Sequence, residues 1–210
     1  MNKVLFTVAL SLITILSSAQ FVKLQVEEVD NHGAVEGKTY RLYAVMKAQG
    51  DHVHAVYATQ GHPLYLRSTA PFFQSVYGGG TSTAINPVLV KEKDELKYDS
   101  WVTIKMEDNS QDTTVYTVNL TPDSAVRYSN SLNVMTLELG EFEKGKALEV
   151  ADGAWFVIPT LPNIGCGPDK RILLMQFTTA GKVTGRLNLQ GMTFEGFTWS
   201  ENDLTFSCGK

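Results

Sequence analysis

The fold is decided by Thr39-Tyr40-Arg41-Leu42-Tyr43-Ala44-Val45-Met46, then Gln49-Gly50-Asp51, then His52-Val53-His54-Ala55-Val56-Tyr57-Ala58. The two longer runs are rich in β-branched and aromatic residues and alternate with a period of two. Turn residues separate them, so they read as successive strands and not as faces of a helix. Gln60-Gly61-His62-Pro63 closes the second run, and Leu64-Tyr65-Leu66-Arg67-Ser68-Thr69 reads as a third strand.

The same pattern continues toward the C-terminus. Strands are expected over residues 99–106, 113–120, 133–139, 146–150 and 153–159, and Pro122 ends the second of these. Arg171–Thr178, Thr179-Ala180-Gly181 and Lys182–Gln190 read as a hairpin whose turn places Gly181 at positive φ. Leu204–Ser207 closes the chain. Pro71–Tyr98 is irregular, with Gly78-Gly79-Gly80 as a flexible or ligand-framing loop, Asn86-Pro87 as a turn and a short helical turn within Val88–Leu96. No long 3.6-residue period occurs. Ten to twelve short strands at 8–12-residue intervals predict an all-β fold, an antiparallel β-sandwich or jelly-roll-like barrel. No linker or internal repeat divides it, so residues 20–210 are expected to form a single domain.

Residues 1–19 stand outside that pattern. Met1-Asn2-Lys3 is a short positive start, Val4–Leu16 is apolar, and Ser17-Ser18-Ala19 offers the small residues of a cleavage site. This is the layout of a secretory signal peptide, too short and too cleavable for a comfortable membrane anchor. The mature protein is therefore expected to be secreted, extracellular or periplasmic, with no membrane span. The whole chain has 18 Lys+Arg against 22 Asp+Glu, a net charge of -4. No basic cluster interrupts it, which argues against a nucleic-acid partner. At 43% hydrophobic and 19% charged residues, global disorder is excluded. Cys166 and Cys208 are the only cysteines. In an exported chain they are expected to form one disulfide, the alternatives being a metal-ligand pair or a reactive thiol.

Further landmarks are Ala55-Val56-Tyr57, Pro63-Leu64, Phe72-Phe73-Gln74, Gly78-Gly79, Ala84-Ile85-Asn86-Pro87 and Tyr98-Asp99-Ser100-Trp101-Val102-Thr103-Ile104, followed by Gly153-Ala154-Trp155-Phe156 and Leu173–Gly181. Together with Thr39–Met46 they resemble a β-rich domain of uncharacterised secreted proteins of environmental bacteria. The likeness covers roughly residues 38–190, and Tyr98–Ile104 is its most specific block. The resemblance implies a secreted β-rich module and brings no established activity with it. The cysteine pair and the Gly191–Lys210 tail lie outside the family pattern.

Chemistry-bearing residues are sparse. His52 and His54 are two apart on a strand and share a face, a spacing that suits two metal ligands. No third ligand has a fixed spacing to them, and the plainer reading is a pair of solvent-facing polar residues. Glu107-Asp108-Asn109 with Asp112 offers oxygen ligands for a hard cation, but the EF-hand pattern is absent and a solvated turn is the simpler reading. Asn119-Leu120-Thr121 is a glycosylation acceptor only in a eukaryotic host. No nucleophile motif is present, and no cofactor is indicated. Tyr40 and Trp101 lie on apolar strands and are expected in the core. Phe72, Phe73 and Tyr77, with Asn86 close by, are the residues expected on an exposed binding surface. The expected function is a secreted non-catalytic binding module for a polysaccharide or a cell-surface or matrix partner. The alternatives are a glycan-active hydrolase, whose paired carboxylates would meet only in the fold, and a structural component of an extracellular assembly.

Overall fold

The computed structural model describes residues 20–110, 115–119, 136–161 and 163–209. The expected leader lies outside them, as do Asp112, Leu120 and Thr121. The described residues form eleven strands: β1 (Phe21–Val29), β2 (Lys38–Met46), β3 (His52–Ala58), β4 (Leu64–Ser68), β5 (Trp101–Val102), β6 (Tyr116–Asn119), β7 (Leu148–Val150), β8 (Gly153–Phe156), β9 (Arg171–Thr179), β10 (Val183–Met192) and β11 (Thr198–Cys208). Two short α-helices, α1 (Pro87–Glu92) and α2 (Thr136–Phe142), accompany them.

The fold is all-β, built from two antiparallel sheets. The first runs in the order β1-β2-β9-β5. The second runs β6-β8-β3-β10-β4-β7, with β11 on β10. The long strand β10 is its spine. Asn188–Met192 pairs with β3, Val183–Arg186 pairs with β4, and β11 covers the opposite edge from Val183 to Met192. Alternation explains the layering. Tyr40, Leu42, Ala44 and Met46 of β2 point inward, as do Val183, Leu187 and Leu189 of β10, and all are buried in one core shared by the sheets. Trp155 is fully buried there, and its indole N–H donates to Thr103 O at 3.0 Å, so the largest core side chain leaves no polar atom unsatisfied.

A second, smaller cluster lies on the outer face of the first sheet. Ile85, Leu96, Trp101 and Leu173 are buried together, with Tyr43, Leu89 and Val90 packed on them. The irregular segment between β4 and β5 is thus a cap over that sheet. Burying each such side chain contributes about 1.5–3 kcal/mol, enough to hold a segment with little regular structure.

Several expectations change. Residues 171–190 are not a hairpin: β9 pairs with β2 and β5, whereas β10 pairs with β3, β4 and β11. The Thr179–Lys182 turn crosses from one sheet to the other. Gly181 is not at positive φ. A Cβ there would collide with Ala70 N and Ser68 Oγ, so close approach is what requires glycine. The strand expected over 99–106 stops at Val102. Lys105 takes φ 72°, and the Thr103 hydroxyl donates to Met106 O at 2.6 Å, so the chain turns there. Within the strand expected over 133–139, residues 133–135 lie outside the described residues, and Thr136–Phe142 is helical, burying Leu139 and Phe142 three apart on one face. Strand β1 had no counterpart in the sequence reading, and β11 is far longer than Leu204–Ser207.

The disulfide expectation is also overturned: Cys166 and Cys208 are both free. Cys208 pairs with Val183 at the start of β10. Cys166 donates its backbone N–H to Asp51 O, beside His52, which pairs with Met192 at the other end of β10. At about 3.3 Å per strand residue the two thiols lie roughly 30 Å apart, far beyond the reach of a sulfur–sulfur bond.

Candidate functional site

The residues expected to form a binding surface lie on the loop that leaves β4 and returns toward α1. Its first aromatic is an anchor. Phe72 is only 3% exposed, with its ring edge-on to Phe142 at 5.3 Å and to Phe177 at 6.2 Å. The expectation of an exposed Phe72 is therefore corrected: packing, not ligand contact, uses this side chain. Phe73 is half-buried. Its N–H donates to Thr178 O at 2.8 Å, and its carbonyl accepts the Ser100 hydroxyl at 2.6 Å, which stitches the loop to β9. Asn86 is half-buried. Its side chain accepts Val88 N–H at 2.9 Å and caps α1, with Pro87 in the first turn where a missing N–H costs nothing.

Between these feet the backbone wraps a carboxylate. Asp99 is completely buried, and its Oδ1 accepts Ser75 N–H at 2.7 Å. A Cβ at Gly78 would collide with Asp99 Oδ2. Gly80 N–H donates to Glu143 Oε1 at 2.7 Å, at the C-terminal end of α2. The three glycines thus bring backbone against two carboxylates, and close approach replaces the flexibility expected of them. Desolvation pushes the Asp99 carboxyl up to about 7. The backbone amides of Ser75, Ser100 and Gly79 oppose that shift, and the Glu143 charge adds to it.

The apex of the loop faces water. Val76 is 90% exposed and Tyr77 is 41% exposed, with the Lys93 ammonium 4.8 Å from the centre of the Tyr77 ring. Of the four residues expected to bind, Tyr77 is the one that presents an open aromatic face. By sequence Asp99 belongs with Glu92, Asp94 and Glu95 to an acidic cluster that reads as a solvated face, and its complete burial corrects that reading; Glu143 carries no such signal. Asp99 sits in the most specific block of the sequence, but nothing local to Glu143 signals that α2 delivers it to the glycines.

His52 and His54 do share a face. Period-two alternation puts both on the same side of β3, with ring centres 5.9 Å apart. They are not solvent-facing. His52 is buried and His54 half-buried, and burial lowers both pKa values below the ordinary 6.5. His52 Nε2 and His54 Nδ1 have no hydrogen-bond partner among the described residues. Among the described residues no group of three His, Cys, Asp or Glu is placed to hold a metal ion. His62 is instead 2.7 Å from Asp203. In the turn read as a candidate hard-cation site, Asp108 accepts its own turn's Ser110 N–H and Glu107 pairs with Arg41.

The cysteines are thiols, not thiolates. Burial raises Cys166, whose Sγ donates to Ala48 O at 3.1 Å, and raises Cys208 to about 11. The chain matches no protein-family profile, and neither the curated proteins nor the solved structures include a significant match.

Proposed function

We propose that this chain is an exported, non-catalytic binding module that recognises a glycan of a cell surface or matrix through the apex of the Phe73–Gly80 loop. The observation that carries the reading is an exposed Tyr77 on a backbone held at both ends, by Phe72 in the core and by Asp99 and Glu143 beneath the glycines. A tyrosine ring offers a large, stiff face for the C–H side of a sugar at small entropic cost. A loop already ordered in the free protein loses little further freedom on binding. The hydrolase alternative draws less support. Asp99 has the raised pKa of a general acid, yet it is sealed from solvent under Gly78, where no substrate atom reaches it.

A glycan array and polysaccharide pull-down with the mature protein, with the supernatants analysed for released sugars, tests this reading. Retention without hydrolysis is expected, weakened at least tenfold by Tyr77→Ala. Failure to retain any glycan refutes it. Export is part of the proposal and predicts a mature N-terminus at Gln20 in the extracytoplasmic fraction.

A further inference from the structure

We infer that the cavity framed by the Ala48–Asp51 turn, the Asn163–Cys166 loop and the β10–β11 turn is a second binding site, and that its ligand is an anionic pyranose. It rests on the proposed function only in taking a sugar as the ligand class. The two places are distinct. The Tyr77 loop is hydrogen-bonded to Thr178 on β9, whereas Lys105 on the cavity wall donates its N–H to Leu173 O, about 17 Å back along that strand.

The cavity has a volume of about 530 Å³, within the usual range for small-ligand sites. Its walls are held together. Asp51 is buried, and its carboxylate accepts Ala48 N–H and Phe194 N–H, each at 3.1 Å, tying two of the three segments. Gly50 N–H donates to Cys166 O at 3.0 Å, tying the third. The ligand would meet fixed walls, as a preorganised site requires.

The lining has the chemistry of an acidic sugar site. Phe194 is 79% exposed and its ring lies over Gly50, where a Cβ would come within 2.8 Å of Cδ2. It forms an aromatic platform at the rim, suited to the C–H face of a pyranose. Gln49 and Asn163 are exposed at the edge, and their side-chain amides make no hydrogen bond among the described residues, so both can meet hydroxyls. Lys105 supplies the charge. Its ammonium donates to Asn163 O and to Gly165 O, the latter at 2.7 Å, which leaves one of its three protons unused. It has no carboxylate partner among the described residues. A carboxylate of a uronic acid or a sulfate ester completes this set, and a neutral sugar leaves the cation without a counter-charge.

Calorimetric titration of the mature protein at low salt tests the site. The probes are a galacturonate tetrasaccharide, a sulfated galactan tetrasaccharide and cellotetraose. At least one acidic probe is expected to bind ten or more times more tightly than cellotetraose, with affinity falling as salt rises, and the better acidic probe identifies the anion. Lys105→Gln keeps a donor for the two carbonyls and removes the charge, so acidic binding drops at least tenfold. Phe194→Ala touches an exposed ring and gives the same loss in a variant that folds, whatever Lys105→Gln does to stability. Equal binding of acidic and neutral probes, or acidic binding untouched by Phe194→Ala and Lys105→Gln, overturns the inference. If Tyr77→Ala alone abolishes binding, the loop reading stands and this site falls. If no acidic probe binds while the array retains a neutral glycan, the result is the same.

Discussion

Asp99→Asn tests the buried carboxyl beneath the loop. In the folded chain this group titrates near 7, against 3.8 for an ordinary aspartate, chiefly because burial penalises its charged form. Between those values the folded protein keeps a proton that the unfolded chain has released. Stability therefore falls as pH rises through this window, and the cost is complete above it. At about 1.36 kcal/mol per unit the whole cost is about 4 kcal/mol, of which roughly 2.5 kcal/mol develops between pH 5 and pH 8. For a chain of this size that corresponds to a shift of about 5–10 °C in melting temperature. Asparagine does not titrate, so wild type loses ground against the variant by this amount as pH rises. His52 and His54 act in the opposite sense. Their lowered values remove stability as pH falls below the unfolded histidine range, but both proteins contain them and the difference cancels their effect. The assay is thermal and urea unfolding of both proteins at pH 5, 6, 7 and 8. A wild-type-minus-variant difference that stays flat across that range refutes the reasoning. It would mean that the amides of Ser75, Ser100 and Gly79 stabilise the carboxylate enough to offset its burial.

Other perturbations separate anchor from surface. Phe72→Ala removes a core ring and is expected to cost about 3–5 kcal/mol in urea unfolding, whereas Tyr77→Ala stays within about 0.5 kcal/mol. Equal effects would contradict the placement of the loop. Gly78→Ala forces a Cβ into Asp99 Oδ2 and is expected to cost about 1–3 kcal/mol, while Gly61→Ala, with no atom near its Cβ position, is close to neutral. Denatured, unreduced protein is expected to yield two reactive thiols in a colorimetric assay, and none would restore the Cys166–Cys208 bond. An NMR titration is expected to place the midpoints of His52 and His54 below 6.5, and a midpoint above that value for either would show that burial does not control it.

Much of the β architecture is legible locally. The alternation in Thr39–Met46 and His52–Ala58 marks β2 and β3 within a residue, since each side chain's face follows from its neighbour's. The loop containing Tyr77 is legible as a loop for a related reason, because Gly78-Gly79-Gly80 and Asn86-Pro87 interrupt any regular pattern. What those glycines accommodate is not legible. They face Asp99 and Glu143, which arrive from β5's approach and from α2. The cavity of Lys105 and Phe194 was missed for the same reason, since its walls come from three separate parts of the chain.

Period-two patterning is a property of adjacent residues, and it established a β-rich chain with its turns before any contact was known. Partnership is not such a property. Thr39 and Thr178 share a hydrogen bond across 139 positions, and no local signal says that β9 belongs beside β2 and not beside β10. The turn at Gly181 has the same residues whether it reverses a hairpin or crosses between sheets; only the core that both sheets must bury selects the crossing. That choice sends the two thiols to opposite ends of β10, draws Phe72 inward and leaves Tyr77 outside. The strands are written in short-range alternation, whereas the site arises from long-range burial.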